Sequence, residues 1–310
     1  MSQTSPTAAR VFEVGPRDGL QNESIILPVA TKVALIERLV ESGLRDIEIG
    51  SFVHPQWVPQ MAATDEVARA LLGGQALSPP EELGDNEVRY WALVPNMTGL
   101  ERAMEAGIRH VAVFMSSSET HNRRNVNRSI AESLAGVGEV ITEATAAGLT
   151  VRAYISTVFG CPFEGPVDFR RVLEIAEALL GRGAFQISLG DTIGAGQPLQ
   201  VQEGCRRVVE TFGSPDPFAL HLHDTRGLGL VNAFAGYLEG FRNFDSSVGG
   251  LGGCPYAPGA PGNLSTESLL KLLHSMDAET GVDADAVRAT ADWLESSVGF
   301  RLSTRISLGS

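Results

Sequence analysis

"PVATKVALIERLVESGLRDIEIGS", residues 28–51, contains one predicted helix followed by one predicted strand. Apolar residues in its first sixteen positions recur at helical spacing, and this run ends at a glycine, as helices commonly do. The last six positions, "DIEIGS" (46–51), are typical of a short buried strand. A helix that leads directly into a buried strand is half of a β–α–β connection, and such connections pair strands in parallel.

The same unit recurs along the chain, with helical segments such as "TGLERAMEAG" and "DFRRVLEIAEALLGRG" between the strands. Strands are predicted at "RVFEVG" (10–15), "DIEIGS" (46–51), "YWALVP" (90–95), "HVAVFMS" (110–116), "TVRAYIS" (150–156), "AFQISLG" (184–190), "FALHLHD" (218–224) and "NFDSSVG" (243–249). Eight strand–helix units predict an α/β protein with a closed (β/α)₈ TIM barrel. An open doubly wound sheet is the alternative, but it usually has fewer strands, and no G-x-G-x-x-G follows the first strand.

The chain of 310 residues is predicted to form a single domain, 1–310, whose barrel spans about 10–250. "GGLGGCPYAPGAPGN" (249–263) follows the eighth strand, so we expect it to form a lid loop on the active-site face. Its glycines and prolines argue against any helix or strand there. The C-terminal helices are expected within 264–300, near 265–275 and 283–297.

Composition narrows the classes of partner and the compartment. The formal net charge is −13 and no long basic run occurs, which argues against nucleic acid or an anionic membrane as a partner. Three widely separated cysteines, Cys161, Cys205 and Cys254, do not suggest a disulfide framework. No apolar run reaches the roughly 18 residues of a membrane span. "MSQTSPTAAR" lacks the apolar region of a signal peptide, so we expect a cytoplasmic protein.

Polar side chains cluster at the predicted strand ends, where a barrel of this type places its active site. Buried polar groups at such positions are costly unless they serve a function or find partners. The candidates are Arg17, Asp18 and Gln21 after the first strand, Glu48 and Ser51 on the second, Ser188, Asp191 and Thr192 on the sixth, and His221, His223 and Asp224 on the seventh.

His221 and His223 are the strongest pair, because residues i and i+2 of a strand point to the same face. They form half of a metal site; the alternative is a pair of hydrogen-bonded core histidines. Asp18 is the matching carboxylate, or else a loop cap or a partner of Arg17. Two nitrogens with oxygen ligands suit Mg²⁺ or Mn²⁺. Arg17 can stabilise a developing oxyanion, or can form a structural ion pair with Asp18 or Glu48.

The lysine content bears on the mechanism. The chain has two lysines, Lys32 and Lys271, against 22 arginines, and neither lysine lies at a predicted strand end. Barrel enzymes that cleave or form carbon–carbon bonds often use a Schiff-base lysine, which is therefore not expected here. A divalent metal is the expected electrophile.

Six motifs in order resemble the 3-hydroxy-3-methylglutaryl-CoA lyases, a family of metal-dependent barrel enzymes, and the resemblance runs from about residue 10 to 275. The motifs are "VFEVGPRDGLQNE" (11–23), "IEIGSFVHPQWVPQMA" (47–62), "GCPFEG" (160–165), "ISLGDTIG" (187–194), "HLHDTRG" (221–227) and "SSVGGLGGCPYAPGAPGNLSTE" (246–267). The resemblance implies an oxo-acid-lyase of the EC 4.1.3 class that splits a hydroxymethylglutaryl-CoA-type thioester into acetyl-CoA and acetoacetate, as in leucine degradation and ketone-body formation. It also implies a homodimer or higher homo-oligomer.

Family residues carry over to matching positions of this sequence. The resemblance implies metal ligation by Asp18, His221, His223 and Asn263. It implies that Arg17 stabilises the enolate oxygen of the departing acetyl-CoA. Glu48 matches an acid that orients the metal site, and Cys254 matches the catalytic thiol of the mobile loop. His221 and Asp18 are both candidates for the general base.

The acyl-CoA substrate raises two further expectations. "HNRRNVNRS" (121–129) offers Arg123, Arg124 and Arg128 to the CoA phosphates, the alternative being a solvated helix start. Closely related lyases continue "HDTYGQ", whereas this chain reads "HDTRGLGL", so Arg226, Leu228 and Gly229 alter the rim beside the metal. A branched or longer 3-hydroxy-3-alkylglutaryl-CoA is therefore an alternative substrate. Alternative functions are a condensing acyl transferase or aldolase of the same barrel group, and a non-catalytic metal-binding barrel.

Overall fold

Eight parallel strands close into a barrel in the computed structural model, which describes residues 8–73, 87–254, 257–299 and 302, with only the backbone at 254 and 257–261. The strands follow one another in chain order around the barrel, and β8 pairs with β1 to close it. They are β1 (Arg10–Glu13), β2 (Asp46–Ser51), β3 (Arg89–Leu93), β4 (His110–Ser116), β5 (Thr150–Ser156), β6 (Gln186–Asp191), β7 (Phe218–Leu222) and β8 (Asn243–Ser246). The closed barrel is confirmed and the open sheet is excluded.

Ten α-helices occur in the described ranges. They are α1 (Val29–Glu41), α2 (Thr64–Leu72), α3 (Met97–Glu105), α4 (Glu119–Val126), α5 (Ile130–Ala146), α6 (Phe169–Gly181), α7 (Pro198–Phe212), α8 (Gly229–Leu238), α9 (Thr266–Ser275) and α10 (Ala284–Val298). The last two follow the barrel, as the C-terminal pattern predicts. Among the described helices, none has both the length and the apolar character needed to cross a bilayer.

The main apolar core lies between the sheet and the surrounding helices. Ile47 and Ile49 of β2 belong to the same buried cluster as Leu35 and Leu39 of α1. Because successive strand residues point to opposite faces, the intervening Glu48 points into the barrel. Strand β2 therefore contributes its isoleucines to the apolar core on one face and Glu48 to the barrel interior on the other.

The barrel interior is rich in buried polar side chains, which the strand register brings together. Arg152 of β5 stands beside Gln186 of β6, and His221 of β7 stands beside Asp245 of β8. All four are buried. Such groups are costly unless each finds a hydrogen-bond partner, so the interior contains a connected polar network rather than a packed apolar plug.

The first and last strands end earlier than the sequence pattern predicts. After β1 the chain turns at once into a π-helix, Gly15–Gly19, instead of continuing the strand to residue 15. After β8 a 3₁₀ turn, Val248–Gly250, replaces the predicted last residues, and Gly249 has a φ of 61°, which favours glycine. The buried carboxyl group of Glu13 accepts hydrogen bonds from the amides of Gly15 (2.8 Å) and Val248 (2.9 Å) and so joins the two turns.

Two short strands form in the Gly/Pro-rich segment, so the expectation that it contains no strand is wrong. Gly253–Cys254 (β9) pairs antiparallel with Ala257–Pro261 (β10). Glycine and proline are tolerated because this ladder is short and has only edges. Residues 255–256 and the side chain of Cys254 lie outside the described part of the chain.

The bases of this hairpin are closely packed. A Cβ on Gly252 would lie 2.9 Å from the Cα of Gly19, and a Cβ on Gly262 would lie 2.2 Å from the carbonyl oxygen of Gly252. Glycine is needed here for close backbone approach, besides the positive φ of 103° at Gly252. The hairpin therefore begins against the π-helix that follows β1, and its two ends lie against each other.

Candidate metal centre and substrate cavity

Asp18, His221 and His223 bring one ligand atom each to within 4.8 Å of one another. The Nε2 atoms of the two histidines are 3.3 Å apart, and His221 Nε2 lies 3.8 Å from Asp18 Oδ2. His221 lies near the end of β7, and His223 follows two residues later on the same face. The predicted pairing of the H-x-H motif with the carboxylate after β1 is thus present in the geometry.

The protonation states suit a cation. Burial raises the pKa of Asp18, but Arg17 and then His221 and His223 outweigh it and lower this pKa to about 2. Burial and then the neighbouring His221 lower the pKa of His223 to about 4. At neutral pH the cluster therefore contains an ionised carboxylate and a neutral imidazole at His223, which are the forms that bind metal ions.

A hydrogen bond between the two imidazoles does not by itself explain this cluster. The Nδ1 of His221 contacts Asp245 Oδ2 at 3.1 Å, so the proton belongs on Nδ1 and the lone pair on Nε2. That lone pair faces both the Nε2 of His223 and the anionic Asp18 Oδ2, which also accepts a hydrogen bond from Asn263. A divalent cation would satisfy all three groups, so the residues fit a metal ion.

Asn263 stands beside the cluster because its backbone forms a bridge with His223. Its Nδ2 donates to Asp18 Oδ2 at 2.9 Å and to the carbonyl of Leu251 at 3.2 Å. A role as metal ligand would use the amide oxygen instead. The structure therefore brings Asn263 to the cluster as a partner of Asp18.

Arg17 is buried between two carboxylates. Its Nε and Nη2 contact Glu48 Oε2 at 2.7 and 2.6 Å, and its Nη1 donates to Asp18 Oδ1 at 2.5 Å. Burial would lower the pKa of Arg17, but Glu48 and then Asp18 hold it above its ordinary value. The guanidinium remains charged and also lines the cavity described below, so its ion pairs are compatible with receiving an oxyanion.

Gln21 and Thr192 both line that cavity. Gln21 Nε2 donates to Asp18 Oδ1 at 2.8 Å, so its amide helps to fix the carboxylate. Thr192 Oγ1 accepts from the amide of Thr157 at 2.8 Å, and its hydroxyl proton remains available to a ligand. Both positions are compatible with the predicted substrate contacts.

Ser188 and Asp191 have internal partners. Ser188 Oγ donates to Asp245 Oδ2 at 2.9 Å. Asp191 accepts from the amides of Ala195 (2.8 Å) and Gly196 (3.1 Å), and burial raises its pKa to about 6. In this arrangement Ser188 supports the acid behind His221, and Asp191 closes the loop after β6.

Three buried residues of the site are absent from the sequence-based candidates. Asp245 contacts His221, Tyr154 donates to Glu48, and Arg152 joins the two. An acid inside the strand "NFDSS" and an arginine inside "TVRAYIS" were the available signals. A charged residue at an inward strand position needs a partner on another strand.

The cluster opens into a cavity of about 830 Å³. Apolar residues on its walls include Leu93, Met97, Phe114 and Val137, and Trp57 at its edge is 81% exposed. This volume is in the range of small-molecule and cofactor sites.

The three arginines proposed for the CoA phosphates differ in position. Arg128 lines the cavity. Arg123 forms an exposed ion pair with Glu119 at 2.8 Å, and Arg124 stacks over Phe163 at 4.2 Å. Arg128 is therefore the member of this group that the geometry favours.

A parallel barrel that brings a carboxylate, two imidazoles and a buried arginine to one cavity at its strand ends belongs to the class of (β/α)₈ barrel enzymes with a candidate metal centre. The family model described as HMGL-like matches residues 8–294, nearly the whole chain. The chain belongs to this HMGL-like family, and the resemblance found in the sequence is confirmed.

Individual relatives agree with this assignment. A hydroxymethylglutaryl-CoA lyase of Pseudomonas mevalonii is 48% identical over 302 residues, covering 96% of this chain and 93% of that protein. A 3-hydroxy-3-isohexenylglutaryl-CoA/hydroxy-methylglutaryl-CoA lyase of Pseudomonas aeruginosa is 46% identical over 285 residues, covering 91% and 90%. The solved structure of an HMG-CoA lyase from Acinetobacter baumannii in complex with coenzyme A and 3-methylmalate has a TM-score of 0.89 at 35% identity, covering 100% and 97%.

Proposed function

We propose that this protein is a divalent-metal-dependent carbon–carbon lyase that cleaves 3-hydroxy-3-methylglutaryl-CoA to acetyl-CoA and acetoacetate. A close 3-hydroxy-3-alkylglutaryl-CoA would give acetyl-CoA and the corresponding oxo acid. The observation that carries the proposal is the convergence of Asp18, His221 and His223 beside the buried Arg17, at one cavity of an HMGL-like chain. Mg²⁺ and Mn²⁺ are the proposed metals, held by these three side chains and by the amide oxygen of Asn263.

The residues of the chain have distinct proposed roles. A bound divalent cation would supply Lewis acidity that lowers the pKa of the substrate's C3 hydroxyl. His221 and Asp18 are the two candidates for accepting that proton, and the low pKa of Asp18 makes it a weak base. His221 can accept it only on an Nε2 that is not bound to the metal, because its Nδ1 proton faces Asp245. As the C2–C3 bond breaks, negative charge moves onto the thioester oxygen, where the fixed guanidinium of Arg17 stabilises it.

Cys254 is the proposed donor of the proton that the C2 carbon takes up. Its backbone lies in β9, within the hairpin based beside the metal cluster. We propose that residues 249–263 act as a lid that closes over the thioester and excludes water.

The decisive experiment is a screen of acyl-CoA substrates with Mg²⁺ or Mn²⁺ and product identification. The wild-type chain should release acetyl-CoA from 3-hydroxy-3-methylglutaryl-CoA or a longer homologue. Asp18→Ala should lose metal affinity, whereas Cys254→Ser should retain metal and lose turnover. Absence of a thioester product with every 3-hydroxy-3-alkylglutaryl-CoA tested contradicts the proposal.

The same screen also identifies which acyl group the protein accepts. The P. aeruginosa relative, by its name, acts on an isohexenyl-substituted substrate as well as the methyl one. Arg226, Leu228 and Gly229 are not among the described residues that line the cavity. The amide of Gly229 donates to Asp224 Oδ1 at 2.8 Å. We therefore expect these departures to leave the short methyl substrate acceptable. Selective cleavage of only the longer homologue would refute this expectation.

We propose that Arg128 contacts a phosphate of CoA. Arg128→Gln should raise KM about tenfold at unchanged kcat, in line with loss of one charge-assisted hydrogen bond. Arg123→Gln is the matched control, because Arg123 pairs with Glu119 and does not line the cavity. Equal effects of the two substitutions argue against a specific phosphate contact.

We also propose a cytoplasmic homodimer or higher homo-oligomer. The outer face of α8 supports self-association, because Val231, Phe234 and Leu238 are exposed at helical spacing and the helix carries no charged residue. A single apolar stripe of this kind is a candidate interface between copies. Phe234→Glu should shift the sedimentation coefficient to that of a monomer, and a wild-type monomer contradicts the proposal.

A further inference from the structure

Arg152 lies deep in the barrel, with no exposed surface, and donates hydrogen bonds to three neighbouring strand residues. Its Nε donates to Gln186 Oε1 at 2.7 Å, and its Nη1 donates to the hydroxyl of Tyr154 at 2.9 Å. Nη1 also donates to Asp245 Oδ2 at 3.1 Å, and Nη2 donates to Asp245 Oδ1. The guanidinium also lies over the ring of Phe12 at 4.0 Å. These contacts fix the orientation of the whole group.

The first connection runs from Arg152 through Asp245 to the metal cluster. Asp245 Oδ2 contacts His221 Nδ1 at 3.1 Å and accepts from Ser188 at 2.9 Å. A carboxylate on Nδ1 selects the tautomer that presents Nε2 as the lone-pair donor and holds the ring in place. The ion pair with Arg152 holds that carboxylate in turn.

The second connection runs from Arg152 through Tyr154 to Arg17. The hydroxyl of Tyr154 accepts from Arg152 and donates to Glu48 Oε2 at 3.1 Å. The same oxygen accepts both the Nε and the Nη2 of Arg17. The ring of Tyr154 also lies 5.3 Å from the guanidinium carbon of Arg17. Tyr154 therefore helps to set the position of the group that faces the cavity.

We propose that Arg152 is a positioning residue that aligns both halves of the site: the metal half through Asp245, and the Arg17 half through Tyr154 and Glu48. Calling these halves catalytic rests on the function proposed above, but the alignment itself does not. Arg152 has no exposed surface and does not line the cavity, so it acts only through its neighbours.

Three substitutions separate the two connections. Asp245→Asn should weaken Mn²⁺ binding about 10- to 100-fold, measured by calorimetry on the full chain without substrate. Tyr154→Phe should leave the Mn²⁺ affinity within about twofold and accelerate exchange of the Arg17 Nε–H about tenfold, measured by nitrogen-15 NMR, because one hydrogen bond behind Glu48 is lost. Arg152→Gln should change both quantities.

The matched control is Asp46→Asn. Asp46 is also a buried strand carboxylate in a two-bond ion pair, with Arg89 at 2.6 and 2.7 Å, but it lies at the opposite end of β2 from the site. It should change neither Mn²⁺ affinity nor Arg17 exchange. If Arg152→Gln does not fold, Asp245→Asn and Tyr154→Phe still test each connection separately.

The proposal is overturned if Arg152→Gln leaves either quantity unchanged, if Asp245→Asn or Tyr154→Phe changes both quantities or fails to change its own, or if Asp46→Asn produces the same losses. None of these readouts needs turnover. If the variants show the predicted pattern and the wild-type chain cleaves no thioester, the proposed function is refuted and the positioning role of Arg152 is supported.

Discussion

Replacing Glu48 by glutamine removes one negative charge beside Arg17 and keeps the shape of the side chain. Glu48 has no exposed surface. Its Oε2 accepts two Arg17 donors and the hydroxyl of Tyr154, whereas its Oε1 is buried without a hydrogen-bond partner among the described residues. Glutamine can place its oxygen at the Oε2 position and its NH₂ group at the Oε1 position, so the substitution changes charge while preserving an acceptor.

The expected loss of stability follows from these contacts. A hydrogen bond to a charged acceptor contributes about 1 kcal/mol more than one to a neutral acceptor, and three donors are affected, two of Arg17 and the hydroxyl of Tyr154. The NH₂ group left without an acceptor adds about 1 kcal/mol of desolvation. We therefore expect Glu48→Gln to lower the free energy of unfolding by about 4 kcal/mol, close to the value for breaking a buried ion pair. A displaced Arg17 should also lower kcat about 100-fold.

Urea unfolding followed by circular dichroism measures the first quantity, and acetyl-CoA release measures the second. Glu119→Gln is the control, because Glu119 forms an exposed ion pair with Arg123 and should lose less than about 1 kcal/mol. If the two variants are equally stable and Glu48→Gln keeps the wild-type rate, the buried ion pair does not hold Arg17.

Three further outcomes are expected. Burial raises the pKa of Glu13 from 4.5 to about 8, so the folded chain holds this proton more tightly than the unfolded chain and the contribution of Glu13 to stability is lost as pH rises through about 8; Glu13→Gln should flatten the fall of Tm between about pH 5 and about pH 9, and an unchanged slope contradicts the assignment. Chelation of the metal should lower Tm by several degrees, since a ligand at about 100 times its Kd contributes about 2.7 kcal/mol, and Asp18→Ala should abolish the difference between chelated and Mn²⁺-loaded samples. Gly43→Ala should lose more than about 2 kcal/mol in urea unfolding, because φ is 101° and the new Cβ would lie 2.2 Å from the Gly281 carbonyl oxygen, whereas Gly148→Ala, at a positive φ with open space, should lose about 1 kcal/mol; equal losses would mean that the carbonyl moves freely.

The alternation of strands and helices was sufficient to predict the barrel, because each strand that is buried on both faces gives a strong local signal. Strand ends were less predictable. Residues 14–15 and 247–249 have strand-like or neutral composition, yet Glu13 binds the amides of Gly15 and Val248 and draws both segments into turns. For residues 247–249 that preference depends on a carboxyl group from β1 and has no local signature.

The site was predictable where one strand or one loop carries the signal and less so where partners come from different strands. His221 and His223 share a strand face, and Asp18 follows β1 at the same end of the barrel. Asp245 is recognisable only through the register that sets it beside His221, and Tyr154 only through its hydrogen bond to Glu48 across the barrel interior. Sequence position alone does not reveal that Asp191 is turned toward its own loop.

The closure of the barrel by β1 and β8 has a consequence for biosynthesis. The hydrogen bond between Asn263 and Asp18 spans 245 positions, and the ion pair between Arg152 and Asp245 spans 93. A chain leaving the ribosome therefore carries Asp18 and Arg152 long before Asn263 and Asp245 are made. Until β8 emerges, those charges must stay hydrated, and the nascent barrel cannot complete its polar interior. Metal binding is thus expected only after Asn263 has been synthesised. The progress of translation therefore sets the earliest time at which the site can bind its metal.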